Sequence, residues 1–92
     1  QPEQPSFYRY EVVLDEVEDS FIDLSNFGKG VVFVNQVNIG RFWEVGPTLS
    51  LYIPKGLLKE GNNEIVIFET EGTFQPEIQL VKKPLYKEMK EG

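Results

Sequence analysis

Cysteine and histidine are both absent from this 92-residue chain, and each absence removes chemistry. Without cysteine there is no disulfide, no thiolate nucleophile and no zinc site of the usual kind. Without histidine there is no imidazole general base. The chain also lacks an apolar run long enough to span a bilayer. Bases are scarce: 9 Lys and Arg stand against 15 Asp and Glu, a net charge of −6. A phosphate backbone repels such a surface, so nucleic acid is not expected as a partner, nor is an anionic membrane. The opening Gln1-Pro2-Glu3-Gln4-Pro5 has no basic stretch followed by an apolar one, so it does not read as a signal peptide. There is no internal repeat and no low-complexity tract.

The residues present suffice for one folded domain. Ninety-two residues bury only roughly 60% of their unfolded surface, so the core is modest. Hydrophobics at 40% and aromatics at 13% are too many for a disordered segment. Residues 1–6 read as a linker, 7–85 as the domain, and 86–92 as a charged tail, with Leu85 and Tyr86 able to dock the end of the chain.

Hydrophobic alternation predicts about seven strands and no long helix. In residues 7–14, Tyr8, Tyr10, Val12 and Leu14 make one apolar face. A short strand follows the acidic turn Asp15-Glu16-Val17-Glu18-Asp19, at residues 20–24. Residues 31–34 and 64–70 are apolar on both faces, as expected of central strands in a two-sheet core. Between them, Asn35-Gln36 sits where a two-residue hairpin turn belongs. The return strand, 37–43, is interrupted by Gly40, which predicts a bulge or a close backbone approach. In residues 48–53, Leu49, Leu51 and Ile53 point inward and Thr48, Ser50 and Tyr52 outward. Residues 57–61 predict one helical turn ended by Gly61, and 77–81 the last strand. Short strands between turn signals argue an all-β sandwich or barrel.

Several clusters could carry chemistry. Arg41, Phe42, Trp43 and Tyr52 could form a sugar platform, since aromatic faces stack on sugar C–H groups; Asn35, Asn38 and Glu44 could bind hydroxyls. Strand geometry puts Arg41 and Trp43 on one face and Phe42 on the other. The plainer expectation puts Trp43 in the core and pairs Arg41 with an acid or a neighbouring domain. A third reading leaves the stripe exposed because its partner domain lies elsewhere. Glu44 and Glu69 stand beside aromatics. Glycosidases need two carboxylates roughly 5–10 Å apart, but 15 acids will supply such a pair by chance; solvated or structural carboxylates are the expectation. The acidic turn at 15–19 has oxygen ligands for a structural calcium without the spacing of an EF-hand loop. No other cofactor is indicated, because the glycines form no phosphate-binding fingerprint.

An ordered set of motifs resembles a known family: Val32-Phe33-Val34-Asn35, Asn38-Ile39-Gly40-Arg41-Phe42-Trp43, Gly46-Pro47, Leu51-Tyr52-Ile53-Pro54, Leu58, Gly61-Asn62, and residues 65–69. Phe7-Tyr8-Arg9 and Ile22-Asp23-Leu24-Ser25 fit the same pattern. Over roughly residues 7–85 the chain is similar to the C-terminal jelly-roll domain of family 35 β-galactosidases, which has the galactose-binding-like fold. Shorter versions recur in the jelly rolls of family 2 glycosidases. The resemblance implies a jelly-roll β-sandwich of about eight strands, of which this chain would lack the first. It also implies an accessory domain that packs on the catalytic TIM barrel of a parent retaining β-galactosidase, with galactosides as a further possible ligand. The family's catalytic glutamates belong to the barrel, and no stretch here matches it. The Arg41–Trp43 motif then reads as a docking element. A free-standing carbohydrate-binding module and a structural or oligomerisation domain are the alternatives. One departure stands out: family members have Gly after the turn Asn, and this chain has Gln36. Either Gln36 adopts a positive φ at a cost on the order of 1 kcal/mol, or the turn is rearranged.

Overall fold

The computed structural model describes residues 6–43 and 49–82. They form β1 (Ser6–Leu14), β2 (Ser20–Asp23), β3 (Lys29–Val34), β4 (Val37–Trp43), β5 (Ser50–Ile53), a 3-10 turn (Lys55–Leu57), β6 (Gly61–Glu69) and β7 (Leu80–Val81). Two antiparallel sheets result, one in the order β1-β6-β3-β4 and the other β5-β2-β7. The all-β sandwich expected from the alternation is therefore what the chain forms. Gly46-Pro47, Leu85 and Tyr86 lie outside the described residues, as does the tail at 86–92.

Strands β3 and β6 are the two inner strands of the larger sheet, as their apolar character on both faces predicts. Along β6, Asn63, Ile65, Ile67 and Glu69 all point inward and are fully buried. On β3, Val32 and Val34 do the same. From the second sheet and its loops, Ile22, Leu24, Phe27, Ile53 and Leu58 close the core. The inward set of β1 has the predicted phase, Tyr8, Tyr10, Val12 and Leu14, but each is only half-buried.

Two backbone devices set the geometry of the β3–β4 hairpin. The turn keeps its left-handed conformation at both central residues: Asn35 has φ +46° and Gln36 φ +74°. It is not rearranged, so Gln36 bears the steric cost that glycine avoids. Further along, Val32 pairs with Gly40 and Phe33 with Asn38, which leaves Ile39 as the extra residue of a β-bulge. Gly40 adopts φ +132° there, and its N–H donates to Asn38 Oδ1 at 2.8 Å. The bulge predicted at Gly40 is present, and it lets Ile39 pack on the core while Arg41 and Trp43 share the opposite face.

Three local expectations are corrected. Ser50 is buried, not outward, although Tyr52 two residues on is exposed; burial at the head of this four-residue strand is decided by what covers it, not by side alone. The helical turn lies at Lys55–Leu57, closed by Leu57 N–H to Pro54 O and Leu58 N–H to Lys55 O, both 3.0 Å. Leu58 is extended and buried, which stops the turn, and Gly61 opens β6 with φ +92°. The last strand is Leu80–Val81, not 77–81. Its partner β2 ends at Asp23, whose Oδ1 accepts from Ser25 N–H and Oγ–H and turns the chain away. The Asp23 N–H to Gln79 O bond at 2.9 Å is the last link between the two segments.

Candidate functional site

The outer face of the larger sheet carries a group of apolar side chains that nothing covers among the described residues. Register sets its rows: Phe7, Phe68, Val31 and Arg41 lie across one line, and Arg9, Val66, Phe33 and Asn38 across the next. Lys29 pairs with Trp43 at the end of the sheet. Phe7 stacks on Phe68 with ring centroids 4.6 Å apart, yet remains 68% exposed. Trp43 is 57% exposed, which overturns its expected place in the core. Phe42, pointing the other way, fills that place. The Lys29 Nζ stands 5.3 Å from the Trp43 ring centroid, a cation–π contact. A shallow apolar depression of about 450 Å³ runs between Trp43, Phe68 and Val31. Of the charges on this face, Arg9 is engaged with Glu64 at 2.7 Å and Glu11 at 3.2 Å. Lys29 and Arg41 make no ion pair among the described residues.

The double apolar character of β3 and β6 predicts two buried faces. The second face, Val31, Phe33, Val66 and Phe68, is this half-buried outer one. The signal was present in the alternation, but periodicity does not say what covers a face.

Two buried polar side chains hold the ends of the sheet. Glu69 accepts from four backbone N–H groups: Gly28 at 2.8 Å and Lys29 at 3.4 Å on Oε2, and Glu71 and Thr73, both at 2.9 Å, on Oε1. Its carboxylate is thus a structural anchor, with both oxygens occupied. At the other end of β6, Asn63 Oδ1 accepts from Lys59 N–H at 2.9 Å and Asn35 Nδ2 at 3.0 Å, while its Nδ2 donates to Lys59 O at 2.8 Å.

Of the residues singled out as a binding or docking set, those the structure describes do not form one site. Asn35 belongs to the Asn63 network: its Nδ2 donates to Leu57 O at 2.8 Å and its Oδ1 accepts from Glu64 N–H at 2.9 Å. Asn38 supports the bulge. Arg41 and Trp43 share the outer face at the far end of β4, about 20 Å from the turn at roughly 3.3 Å per residue. Tyr52 lies on the other sheet, 48% exposed, with Phe21 5.5 Å away. Loss of hydration first, and then the Asp19 carboxylate, raise its phenol above the usual value. Glu44 lies outside the described residues, so the Glu44–Glu69 pair is not observed. In the acidic turn, Asp19 Oδ1 accepts from Lys55 N–H at 2.8 Å and Glu18 faces Lys82 at 3.4 Å. Among the described residues no three carboxylates converge on one point.

Comparison with known proteins bears on what this surface serves. A family model described as the galactose-binding domain of β-galactosidase matches residues 5–63. The chain is 48% identical over 88 residues to Beta-galactosidase 8 of Oryza sativa subsp. japonica, covering 89% of this chain and 13% of that protein. It is 42% identical over 87 residues to Beta-galactosidase 1 of Dictyostelium discoideum, again 89% of this chain and 13% of the other. Against the human Beta-galactosidase-1-like protein 2 the identity is 36% over 84 residues, 90% of this chain and 13% of that one. The chain thus spans about 13% of the length of these relatives.

Proposed function

The chain belongs to the galactose-binding domain family of β-galactosidases, and we propose that it is the accessory domain of such an enzyme, packing on the catalytic barrel of its parent polypeptide and stabilising it. Hydrolysis of terminal β-galactosides is then the work of a glutamate pair elsewhere in the parent. The observation that carries this reading is the outer face of the larger sheet. It exposes two large aromatics, Phe7 and Trp43, beside half-buried Val31 and Phe68. Monomeric surfaces rarely keep such apolar patches free unless they serve contact. Covering Phe7 and Trp43 contributes on the order of 1–2 kcal/mol each, scaled from about 1.5–3 kcal/mol for burying a whole large side chain.

Two further features support the same reading. The half-buried inner face of β1 fits a sandwich that receives another strand from the parent chain. Glu69, the carboxylate with the best sequence claim to catalysis among the described residues, is committed to four N–H donors.

An exposed Trp43 also answers to a free-standing sugar module. Against that stands Lys29, whose ammonium lies by the ring where a sugar would stack. The row of Phe7, Phe68 and Val31, with its two rings tilted 39° to each other, suits a protein surface better than a pyranose.

The test compares two settings. Phe7→Asp and Trp43→Asp change exposed side chains, so in the 92-residue chain they should shift stability by less than about 1 kcal/mol. In the parent enzyme the same changes should lower the melting temperature and the turnover of a chromogenic galactoside. Equal effects in both settings would sink the docking role. Turnover by the 92-residue chain alone would sink the accessory role.

A further inference from the structure

Among the described residues the two sheets leave four edges open, and β1 is the one without protection. An open row of main-chain groups invites another strand, and folded chains blunt it with short strands, bulges, prolines or lysines. The other edge of the larger sheet, β4, carries the bulge at Ile39. In the smaller sheet the edges are β5, of four residues, and β7, of two. By contrast, β1 runs for nine residues in unbroken register with β6 and holds no proline, no lysine and no bulge.

The groups that β1 leaves free follow from the bonds of β6. Glu64 serves β3: its O accepts from Asn35 N–H at 2.8 Å and its N–H donates to Asn35 Oδ1 at 2.9 Å. Main-chain direction alternates along a strand, so Asn63, Ile65, Ile67 and Glu69 serve β1, opposite Val12, Tyr10, Tyr8 and Ser6. Phe7, Arg9, Glu11 and Val13 therefore aim N–H and C=O at the open edge. Their side chains lie on the outer face of the sheet, where Phe7 and Val13 are exposed. Beneath, a groove of about 510 Å³ runs along the edge between residues 9–12 and 76–78. Tyr10, Val12 and Ile78 line it, where the inward side chains of a further strand would pack.

The sequence of β1 is complementary to its own reverse. Laid antiparallel on a second copy with Tyr10 against Tyr10, all nine residues overlap. Arg9 then faces Glu11 of the second copy, Glu11 faces its Arg9, and Phe7 meets Val13 at both ends. Each of these pairs has its main-chain groups aimed across the gap, so each exchanges both N–H···O bonds. A shift of one residue sets outer side chains against inner ones. A shift of two sets Arg9 against Arg9 or Glu11 against Glu11, and like charges directly opposite are destabilising. On the inner face Tyr8 meets Val12, so the apolar row continues and the half-buried side of β1 gains a neighbouring strand. Arg9 can keep Glu64 of its own sheet, at 2.7 Å, because a guanidinium has donors for a second carboxylate.

We propose that two copies of this domain join edge to edge through β1, about a two-fold axis at Tyr10, into one continuous sheet. The contact uses the edge and leaves the outer face around Trp43 open. It is therefore separate from docking on a barrel and does not rest on that reading.

Sedimentation equilibrium of the 92-residue chain is the test. An edge contact of this length sits at the small end of specific interfaces, so a dimer with a dissociation constant of roughly 10–100 μM is expected. Arg9→Glu sets Glu against Glu, and Glu11→Arg sets Arg against Arg; each alone should weaken association about tenfold. An equimolar mixture of the two should restore it, because every Glu then faces an Arg across the axis. Glu11→Pro removes an edge N–H and no bond to β6, and should abolish the dimer. Circular dichroism of dilute samples checks that each variant folds. In the unchanged chain, which no folding defect can confuse, amide exchange at Phe7, Arg9, Glu11 and Val13 should slow as concentration rises, while Tyr8, Tyr10 and Val12 stay slow throughout. Three results would overturn the proposal. One is a monomer at every concentration up to about 1 mM. Another is a mixture that associates no better than either variant alone. The third is a dimer that leaves those four amides unprotected, as contact through the face around Trp43 would.

Discussion

Replacing Glu69 with glutamine is the sharpest probe of how this small sandwich is held together. The side chain is fully buried on the inward face of β6 and accepts four backbone N–H bonds from two loops. Glutamine keeps the length and shape but has one oxygen where the carboxylate has two. Its best orientation keeps the oxygen on Glu71 and Thr73, both at 2.9 Å. The amide N–H then meets the Gly28 N–H, donor against donor. A buried donor without an acceptor costs about 1–3 kcal/mol. The two surviving bonds lose their charge assistance, on the order of 1 kcal/mol each. The long Lys29 contact, at 3.4 Å, adds little. The sum is about 3–5 kcal/mol, a large part of the roughly 5–14 kcal/mol that 92 residues hold at about 0.05–0.15 kcal/mol each. At about 4 °C or more per kcal/mol in a domain of this size, melting should fall by at least about 12 °C. Urea and thermal unfolding followed by circular dichroism measure the loss. Amide exchange should quicken first at Gly28, Glu71 and Thr73. A variant within about 0.5 kcal/mol of the parent chain, the range of an ordinary surface change, would refute the anchor.

Other perturbations separate the remaining forces. A Cβ on Gly30 would stand 1.8 Å from Phe68 O, so Gly30→Ala must push β3 from β6 and should cost about 3 kcal/mol or more, whereas Gly56→Ala meets nothing within 4 Å and should be close to neutral; urea midpoints compare the two. Gln36→Gly relieves a side chain held at φ +74° and should raise stability by about 0.5–1 kcal/mol in the same assay, and a loss would show that Gln36 makes a contact of value. The Tyr10 phenol is raised above its usual value, first by burial and then by Tyr8. A folded phenol that holds its proton to higher pH than the unfolded one gives stability that is complete below about pH 10 and is lost as pH rises through the folded value. Tyr10→Phe should therefore flatten the alkaline fall in urea midpoint while costing about 1 kcal/mol at neutral pH through the bond to Gln75 O; an unchanged alkaline slope would count against it.

Much of the fold was legible because alternation is a local property. The phase of β1, the two inner strands and the Gly40 bulge follow from residue type and spacing. So does the turn, although Gln36 pays for a shape that its identity disfavours. Burial of polar groups was not legible in the same way. Asn63 and Glu69 share the inward face with Ile65 and Ile67, an i, i+2 series visible in the sequence, but their bonds come from segments 2 to 51 residues away. Trp43 was misplaced for the opposite reason. An aromatic at a strand end is core only if something in the same chain covers it, and here the coverable face belongs to the outer side. Tyr52 and Asn35 were grouped with it by nearness in sequence, which a hairpin and a change of sheet undo.

The positions of the two buried polar residues explain how a thin core can present well-defined surfaces. Asn63 and Glu69 bracket Ile65 and Ile67 on one strand, β6, so each end of the sandwich is tied to the same central element. Asn63 binds the β3–β4 turn through Asn35 and the loop at Lys59. Glu69 binds the β2–β3 loop at Gly28 and the turn at Glu71 and Thr73. Apolar contacts alone would leave these loops free to slide, because the hydrophobic effect has no direction. Directed bonds to a buried strand remove that freedom. The consequence falls at the Glu69 end, beside the outer face of the larger sheet. Lys29, which lies by the Trp43 ring, follows Gly28 directly, and the core residue Phe27 precedes it. One buried carboxylate therefore ties the end of the sheet that carries Lys29 and Trp43 to the loop whose Phe27 ring packs against Phe42.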